Sequence, residues 1–274
     1  MRTDWLAHAV LVAGVALFAL PLWLVIAGST QPADVIARGE MSLVPDLGGF
    51  GVYGDVLRTG GRNQTPVWSM LLVSFGMALA IAVGKIVISV LSAYAIAFFR
   101  FPGRMLAFWV VFLTLMLPVE VRIIPTFSVM AGLGLINSFT GLTMPLIASA
   151  TATLLFRQVF LVVPDELVEA ARMDGAGPLR FLRDILLPVS AANVAALFVI
   201  LFVYGWNQYL WPLLVATDPR LDSIVIGIVK MIGTEAQTEW NRVMATTVLA
   251  LLPPVAVVVL MQRWFVKGLA EGDK

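Results

Sequence analysis

The sequence predicts an all-α integral membrane protein with six transmembrane helices. Of its 274 residues, 60% are hydrophobic and 13% are charged, whereas soluble domains carry roughly 25% charged residues. The apolar residues come in runs of about twenty, which is the length of a helix that crosses a bilayer. One soluble core cannot bury this much apolar surface, so lipid is the expected solvent for most of the chain.

Six apolar stretches have the length and polarity of spanning helices. In chain order they are 5–28, 67–99, 105–121, 141–160, 191–214 and 241–266. The first is longer than the ~7–15 residues of a signal-peptide core, so we expect it to remain as an anchor. The second exceeds the bilayer thickness and should tilt or project beyond it. A further apolar run, 221–232, is too short to span and is typical of a re-entrant or interfacial segment.

The distribution of lysine and arginine orients the six predicted spans. With the N-terminus inside, ten basic residues lie in inner connections, seven lie in outer connections, and Lys85 remains within the membrane. The inner residues are Arg2, Arg100, Arg104, Arg157, Arg172, Arg180, Arg183, Arg263, Lys267 and Lys274. Because basic residues concentrate on the cytoplasmic side of membrane proteins, both termini should be cytoplasmic.

Two parts are expected along the chain. Residues 1–66 should form a transmembrane anchor helix and an external loop, in which Pro32, Pro45 and a glycine-rich run favour irregular structure. Residues 67–274 should form a core domain of five transmembrane helices. A cytoplasmic loop at 161–190 joins the fourth and fifth predicted spans.

The composition excludes several classes of chemistry. The chain has no cysteine and one histidine, His8, which excludes disulfides, thiol nucleophiles, Cys/His zinc sites and haem ligation. A net charge of +1 provides no field that would attract nucleic acid. We therefore expect no metal, no cofactor and no nucleic-acid partner.

The cytoplasmic loop contains the most informative pattern in the sequence. Pro164 is followed by two acidic residues, which is typical of a helix start because carboxylates favour the positive end of the helix dipole. Gly175 supplies a stop, since glycine accepts the left-handed conformation that ends helices. A second helix should begin at Pro178 and end before Pro188. The loop is therefore predicted as two short helices joined by a glycine turn.

One face of the first short helix suits docking against another protein. Leu167, Ala171 and Asp174 have the spacing of a shared face, and Ala170 lies beside them. Small residues on this face would let a partner approach closely. An ordinary connector that lies on the lipid headgroups explains the composition equally well.

The same loop resembles a motif in the membrane subunits of bacterial ATP-binding-cassette importers. The match comprises Glu169-Ala170-Ala171, then Gly175 and, after nine further residues, Ile185-x-Leu187-Pro188. The likeness covers nearly the whole chain and is loosest over 1–66. It is greatest to the maltose-type carbohydrate group, in particular to permeases for sn-glycerol-3-phosphate. The segments that carry it are 100–102, 117–122, 148–153, 164–171 and 204–214.

The resemblance implies a MetI-like importer permease fold and a multi-pass, non-catalytic subunit in the bacterial inner membrane. In that family the loop docks on a cytoplasmic ATPase subunit and couples ATP hydrolysis to transport. The residues implied in coupling are Leu167, Glu169, Ala170, Ala171, Asp174 and Gly175. The implied partners are a second homologous permease, two ATPase subunits and a periplasmic solute-binding protein. The implied solute is sn-glycerol-3-phosphate or a related glycerophosphodiester.

No ATPase is expected within the chain itself. The pair Gly84-Lys85 resembles the end of a phosphate-binding loop, but Leu79 stands where that loop needs glycine. Ile86 also replaces the serine or threonine that such a loop requires. ATP hydrolysis is therefore expected on separate subunits.

Charged residues also occur inside the predicted membrane region, away from the cytoplasmic connections. Lys85 lies near the middle of the second span, and Glu120 and Arg122 lie near the outer end of the third. Charges in lipid cost at least ~2.5–3.5 kcal/mol on insertion scales, so these residues should face a cavity or one another. Lys85 or Arg122 could attract an anionic substrate, because phosphate recognition uses cationic donors. An internal ion pair, or an Arg122 side chain that reaches the interface, is an equal alternative.

The fifth span carries a predicted stripe of aromatic and amide residues. Its members, at helical spacing, are Tyr204, Asn207, Gln208 and Trp211. Amides that bond hydroxyl groups and rings that pack on carbon atoms suit a path for a hydroxylated solute. Hydrogen bonds between helices, together with an outer belt of aromatic residues, explain the stripe equally well.

Other functions remain compatible with the sequence. A self-sufficient secondary carrier would use the intramembrane charges for ion coupling and leave the 161–190 loop passive, but the sequence lacks the inverted repeats that typify such carriers. A structural subunit of a membrane assembly is a third alternative. Among importers, a neutral sugar or polyol is the alternative solute, because the binding protein does most of the selecting in this family.

Overall fold

The computed structural model describes residues 5–60, 65–114, 119–232 and 238–271, without the side chains of residues 119–120 and 265–271. Within these ranges every regular element is a helix. The α-helices are α1 (Trp5–Ser29), α2 (Ala33–Ala37), α3 (Gly51–Thr59), α4 (Val67–Phe98), α5 (Arg104–Thr114), α6 (Val119–Gly132), α7 (Phe139–Thr143), α8 (Ala150–Leu161), α9 (Asp165–Met173), α10 (Pro178–Phe181), α11 (Leu187–Val189), α12 (Ala191–Trp206), α13 (Leu210–Val215), α14 (Ile224–Met231) and α15 (Trp240–Glu271).

Three helices of the described chain are long and apolar enough to cross a membrane. They are α1, α4 and α15. These helices confirm the first, second and sixth predicted stretches. The 32 residues of α4 extend roughly 48 Å at the helical rise per residue. This length exceeds the ~30 Å hydrocarbon core, as the sequence predicts.

The fourth predicted stretch is bent rather than straight, and a second bend comes directly before the fifth. In the first bent pair, the segment Phe139–Leu146 meets α8 at 48°. There the Ser149 hydroxyl accepts a hydrogen bond from the Ala152 amide and begins α8 anew. In the second pair, the segment Pro178–Val189 meets α12 at 78°. Counting each bent pair as one span gives up to five spans in the described residues, so the sixth remains a proposal.

The third predicted stretch is described only in part. Of the helix expected at 105–121, the structure describes α5 up to Thr114 and α6 from Val119. Each described part is by itself shorter than a bilayer requires. The residues between them lie outside the described part of the chain. The third predicted span therefore stays a prediction.

The fifth predicted stretch also ends earlier than expected. The helix α12 ends at Trp206, and α13 begins only at Leu210. Pro212 favours this break, because its ring would clash with the carbonyl four residues earlier in a continuous helix. The short apolar run is confirmed as too short to span, since α14 has eight residues.

The contacts of the chain divide it into two compact units. The first unit consists of Met1–Val73 and Asp218–Pro253. Within it, a Cβ atom at Gly227 would overlap the Met70 sulfur, so this glycine permits close packing of α14. Buried Asp222 accepts two hydrogen bonds from the Lys230 ammonium, at 2.7 and 2.8 Å. The domain boundary proposed at residue 66 stays a prediction.

The second unit consists of Ser74–Thr217 and Pro254–Lys274. The helices α4 and α12 pack closely at Gly205, where a Cβ atom would lie 2.9 Å from the Ala78 Cα atom. Phe202, one turn before this glycine, contacts the Phe75 ring edge to face at 5.6 Å between centroids. Both candidate functional regions, the 161–190 loop and the intramembrane Lys85, belong to this unit.

Candidate coupling loop and intramembrane cation

The helix α9 begins and ends as the sequence predicts. Pro164 has the extended backbone of a residue that precedes a helix, and the first turn contains Asp165 and Glu166. The last turn contains Arg172. Carboxylates at the N-terminus and a guanidinium at the C-terminus both stabilise the helix through its dipole.

Gly175 terminates α9 in the left-handed conformation, with φ of +71°. The Gly175 amide donates to the Arg172 carbonyl at 3.0 Å, and the Ala176 amide donates to the Ala171 carbonyl at 2.9 Å. This pair of hydrogen bonds is a Schellman motif, which satisfies carbonyl groups left free at the helix end. The turn therefore holds α10 in a defined direction relative to α9, and the predicted stop is confirmed.

The face that α9 buries differs from the predicted docking face. Ala171 is only 4% exposed and packs into the hydrophobic core, with Val168 half-buried next to it. Leu167, Ala170 and Asp174 are exposed. The expectation that Ala171 shares an accessible face with these residues is therefore wrong. An aromatic core on one side of α9 attracts the apolar pair Val168 and Ala171, which turns the helix away from the predicted orientation.

The core beneath α9 joins the loop to three apolar helices. Its buried members are Val90, Ala93, Tyr94, Phe156, Phe160, Ala171, Phe181, Leu182, Leu186 and Leu197, from α4, α8, α12 and the loop itself. The Tyr94 hydroxyl donates to the Pro178 carbonyl at 3.0 Å. The Phe98 ring contacts the Phe181 ring at 5.4 Å between centroids. Tyr94 and Phe98 were not singled out from the sequence, because nothing local marks a contact with a distant loop.

The second half of the loop leads directly into α12. Pro178–Val189 is helical throughout, with a π-helical turn at Leu182–Leu186. Ser190 then separates it from α12, and the two helices meet at 78°. A displacement of α9 would therefore reach α12 both through this continuous backbone and through the shared aromatic core.

A cleft of ≈ 850 Å³ lies beside α9. One wall is formed by the end of α4 and the start of α5, including Arg100 and Arg104. The other wall includes Asp165, Glu169 and Arg172 of α9. Glu169 is exposed at the rim of this cleft, so its carboxylate is accessible to a partner as well as to the basic wall.

Lys85 is a buried cation in the middle of a long apolar helix. It is the nineteenth of the 32 residues that begin at Val67, and only 6% of its surface is exposed. Its ammonium lies 3.7 Å from the centroid of the Tyr204 ring. An ammonium is attracted to the negative face of an aromatic ring, and burial strengthens this cation–π contact.

The predicted ion-pair alternative for Lys85 lacks a partner among the described carboxylates. None of them lies within 4.0 Å of the Lys85 ammonium. The side chain of Glu120 lies outside the described residues. Arg122 is exposed and close enough to repel the Lys85 ammonium electrostatically.

The predicted stripe on the fifth span is wrong as a single helical face. Asn207 is exposed in the turn after α12, and the Gln208 amide donates to the Tyr204 carbonyl at 3.0 Å. Trp211 is 4% exposed on α13, where its indole N–H donates to the Gly141 carbonyl at 3.1 Å. Of the four residues, only Tyr204 contacts Lys85.

Arg157, which the sequence analysis counted only as a basic residue of an inner connection, is a second partly buried cation. The guanidinium of Arg157 on α8 stacks on the Phe108 ring of α5, with 4.5 Å between its central carbon and the ring centroid. Its buried Nε has no hydrogen-bond partner among the described residues. The described ranges contain no group of three or more His, Cys, Asp or Glu side chains that could hold a metal ion.

Comparisons with known proteins match most of the chain. Residues 73–271 match the family described as binding-protein-dependent transport system inner membrane components. The chain is 57% identical over 275 residues to the sn-glycerol-3-phosphate transport system permease protein UgpE of Rhizobium meliloti, covering 99% of this chain and 98% of that one. It is 54% identical over 273 residues to UgpE of Yersinia pestis, covering 99% of this chain and 97% of that one.

A solved structure shares the fold. It is the crystal structure of a bacterial ABC transporter involved in the import of the acidic polysaccharide alginate. The TM-score is 0.82 at 22% sequence identity, and the match covers 97% of this chain and 98% of the other. The resemblance inferred from the loop motif is thus confirmed over nearly the full length.

Proposed function

The chain belongs to the family of binding-protein-dependent transport system inner membrane components, and we propose that it is a permease subunit of an ATP-binding-cassette importer for sn-glycerol-3-phosphate. The observation that carries this proposal is 54–57% identity to UgpE proteins over nearly the whole chain. Related glycerophosphodiesters share the phosphate group and are included among the proposed solutes. A neutral sugar or polyol is the alternative solute.

The proposed arrangement in the membrane has six spans and two cytoplasmic termini. Three long apolar helices, the first bent pair, and α12 together with α13 supply five of the spans. We assign the sixth to α5 and α6 together, because each alone is too short to cross. This arrangement places the 161–190 loop on the cytoplasmic side, and the basic residues of the inner connections support it.

We assign coupling to the 161–190 loop. ATP hydrolysis takes place on separate subunits in this proposal, and α9 docks on one of them through its exposed residues. The exposed candidates are Leu167, Glu169, Ala170 and Asp174. Ala171 acts from the opposite face by holding α9 against the aromatic core, and Gly175 sets the turn that follows.

The proposed transmission relies on a packed core rather than on a flexible hinge. Close-packed interiors shift between discrete arrangements instead of deforming continuously. A movement imposed on α9 would therefore move Tyr94, Phe156 and Leu197 as part of one cluster. These residues belong to α4, α8 and α12, and the substrate-path candidates Lys85 and Tyr204 lie on α4 and α12.

The proposed complex contains a second homologous permease, two ATPase subunits and a periplasmic binding protein. Exposed apolar side chains along the long helices are suited to lipid and to a second permease, since both are apolar surroundings. The chain itself supplies no ATP-binding loop, because Leu79 and Ile86 replace residues that such a loop requires.

Uptake by a strain that lacks its own sn-glycerol-3-phosphate permeases tests the proposal. The chain is expressed with the ATPase, second permease and binding protein of an sn-glycerol-3-phosphate importer, and uptake of labelled sn-glycerol-3-phosphate is measured. We expect uptake that depends on the binding protein and on an intact ATPase site. Preferential uptake of a neutral sugar would show that the proposed solute is wrong. Uptake without the ATPase would support the alternative of a secondary carrier.

A further inference from the structure

Lys85 has unused capacity to bind an anion. An ammonium has three N–H donors, and among the described residues the Tyr204 ring is the group that faces it. A ring face attracts the charge but does not replace three hydrogen bonds. The described residues therefore satisfy the buried cation only in part.

The two residues differ in their access to the surface. Lys85 is 6% exposed, whereas Tyr204 is 37% exposed. The phenol is therefore the outer group of the pair, and the ammonium lies beneath it. A rotation of the Tyr204 side chain would break this contact with the cation without any change in the backbone, because surface side chains change rotamer readily.

A second cation makes the region favourable for a multiply charged anion. Arg122 is exposed and repels the Lys85 ammonium electrostatically. An anion near both groups would turn this repulsion into attraction, and Coulomb interactions are stronger away from bulk water. A phosphate monoester carries a charge of about −1.5 to −2 at neutral pH and has three acceptor oxygens.

We propose that Lys85 binds the phosphate group of the solute during translocation, with Tyr204 covering the ammonium when no phosphate is present. This inference rests on the proposed function and adds the residue that recognises the phosphate within the membrane. An ion pair with phosphate replaces a weaker cation–π contact, so the site favours phosphate esters over neutral polyols. Lys85 is then a specificity-determining residue in addition to the selection made by the binding protein.

The test compares Lys85→Met with Lys85→Arg in complexes reconstituted into vesicles. Methionine keeps the length of the side chain and its apolar stem but removes the charge, whereas arginine keeps the charge. Uptake of sn-glycerol-3-phosphate and of a glycerophosphodiester is measured against concentration, together with the amount of assembled complex. The two solutes carry different phosphate charges, so their ratio reports on recognition of the phosphate.

We expect Lys85→Met to assemble normally and to reduce monoester uptake by about tenfold or more, since one charge-assisted hydrogen bond is worth that factor. The ratio of monoester to diester uptake should fall severalfold, and Lys85→Arg should restore most of both quantities. If the Lys85→Met complex does not assemble, the ratio of monoester to diester uptake is measured in Lys85→Gln instead, with the same expected result.

Three results would overturn the inference. An unchanged ratio of the two solutes in Lys85→Met, or in Lys85→Gln, would make the lysine structural. Recovery of uptake when Glu120→Gln is added to Lys85→Met would show that the lysine forms an ion pair with Glu120. Low uptake by Lys85→Arg of both solutes, at the wild-type ratio of monoester to diester, would also exclude a role in charge recognition. If wild-type complex hydrolyses ATP but takes up neither phosphate ester, the proposed function fails instead.

Discussion

Gly175 is the residue on which the direction of the coupling loop depends. Its φ of +71° is unfavourable for any side chain with a Cβ atom, while the space around it is open. The cost of a substitution there is therefore backbone strain, of about 1–2 kcal/mol, rather than a clash.

We expect Gly175→Val to insert normally but to bind the ATPase subunit weakly and to transport little. Gly177→Val is the matched control, because Gly177 also has open space around it but has a negative φ of −70°. The measurements are the amount of inserted chain, copurification of the ATPase and uptake of the solute. Equal uptake by the two variants would contradict the role of the turn.

Glu169 is exposed on α9 and lines the basic cleft formed with Arg100 and Arg104. Reversing its charge should weaken docking and also repel the arginine wall. We expect Glu169→Lys to form normal amounts of membrane-inserted protein with severalfold lower uptake, as one lost charge contact implies. Glu166→Lys, in the first turn of the same helix, is the control. A larger loss of uptake in the control than in Glu169→Lys would show that the docking face lies elsewhere on α9.

At the scale of elements, the loop is tied to α4 through one hydrogen bond and one aromatic cluster. Tyr94→Phe keeps the ring in the cluster but removes the bond from its hydroxyl to the Pro178 carbonyl. We expect a loss of about 0.5–1.5 kcal/mol in stability and less solute transported per ATP hydrolysed. Tyr209→Phe, at a residue 39% exposed, is the control. An unchanged ratio of transport to hydrolysis would mean that this contact does not transmit the movement.

The crossing of α4 and α12 depends on the absence of a side chain at Gly205. A Cβ atom there would lie 2.9 Å from backbone of α4, which cannot move as freely as a side chain. We expect Gly205→Val to destabilise the protein by about 1–3 kcal/mol through overpacking, measured as a lower thermal midpoint in detergent. Gly132→Ala in α6, with open space around it, should have little effect. Equal midpoints would exclude tight packing at this crossing.

At the scale of the whole molecule, the proposed topology can be mapped with single cysteines because the chain has none. Leu47 is 87% exposed in the 29–66 segment, and Met173 is 83% exposed on α9. We expect Leu47→Cys to react with a membrane-impermeant maleimide in intact cells, and Met173→Cys to react only after permeabilisation. A reporter fused after Lys274 should be active only in its cytoplasmic form. Labelling of Met173→Cys in intact cells would invalidate the coupling assignment.

The sequence predicted the features that depend on local properties. Run length and hydropathy identified α1, α4 and α15, because crossing a bilayer requires a minimum number of consecutive apolar residues. Proline, acidic residues and glycine identified both ends of α9, because helix ends are determined by caps within a few residues. The motif in the same loop was enough to identify the family, which the comparisons confirm.

Only the tertiary structure decided which side chains meet. The aromatic core turns Ala171 inward, and Gly205 allows α12 to approach α4 closely. Trp211 reaches the Gly141 carbonyl and leaves the predicted stripe, while Tyr204 covers Lys85. Periodicity along one segment cannot supply these contacts, because their partners are far away in the sequence. The physical reason is that burial and pairing minimise the free energy of the whole packed chain, not of each helix alone.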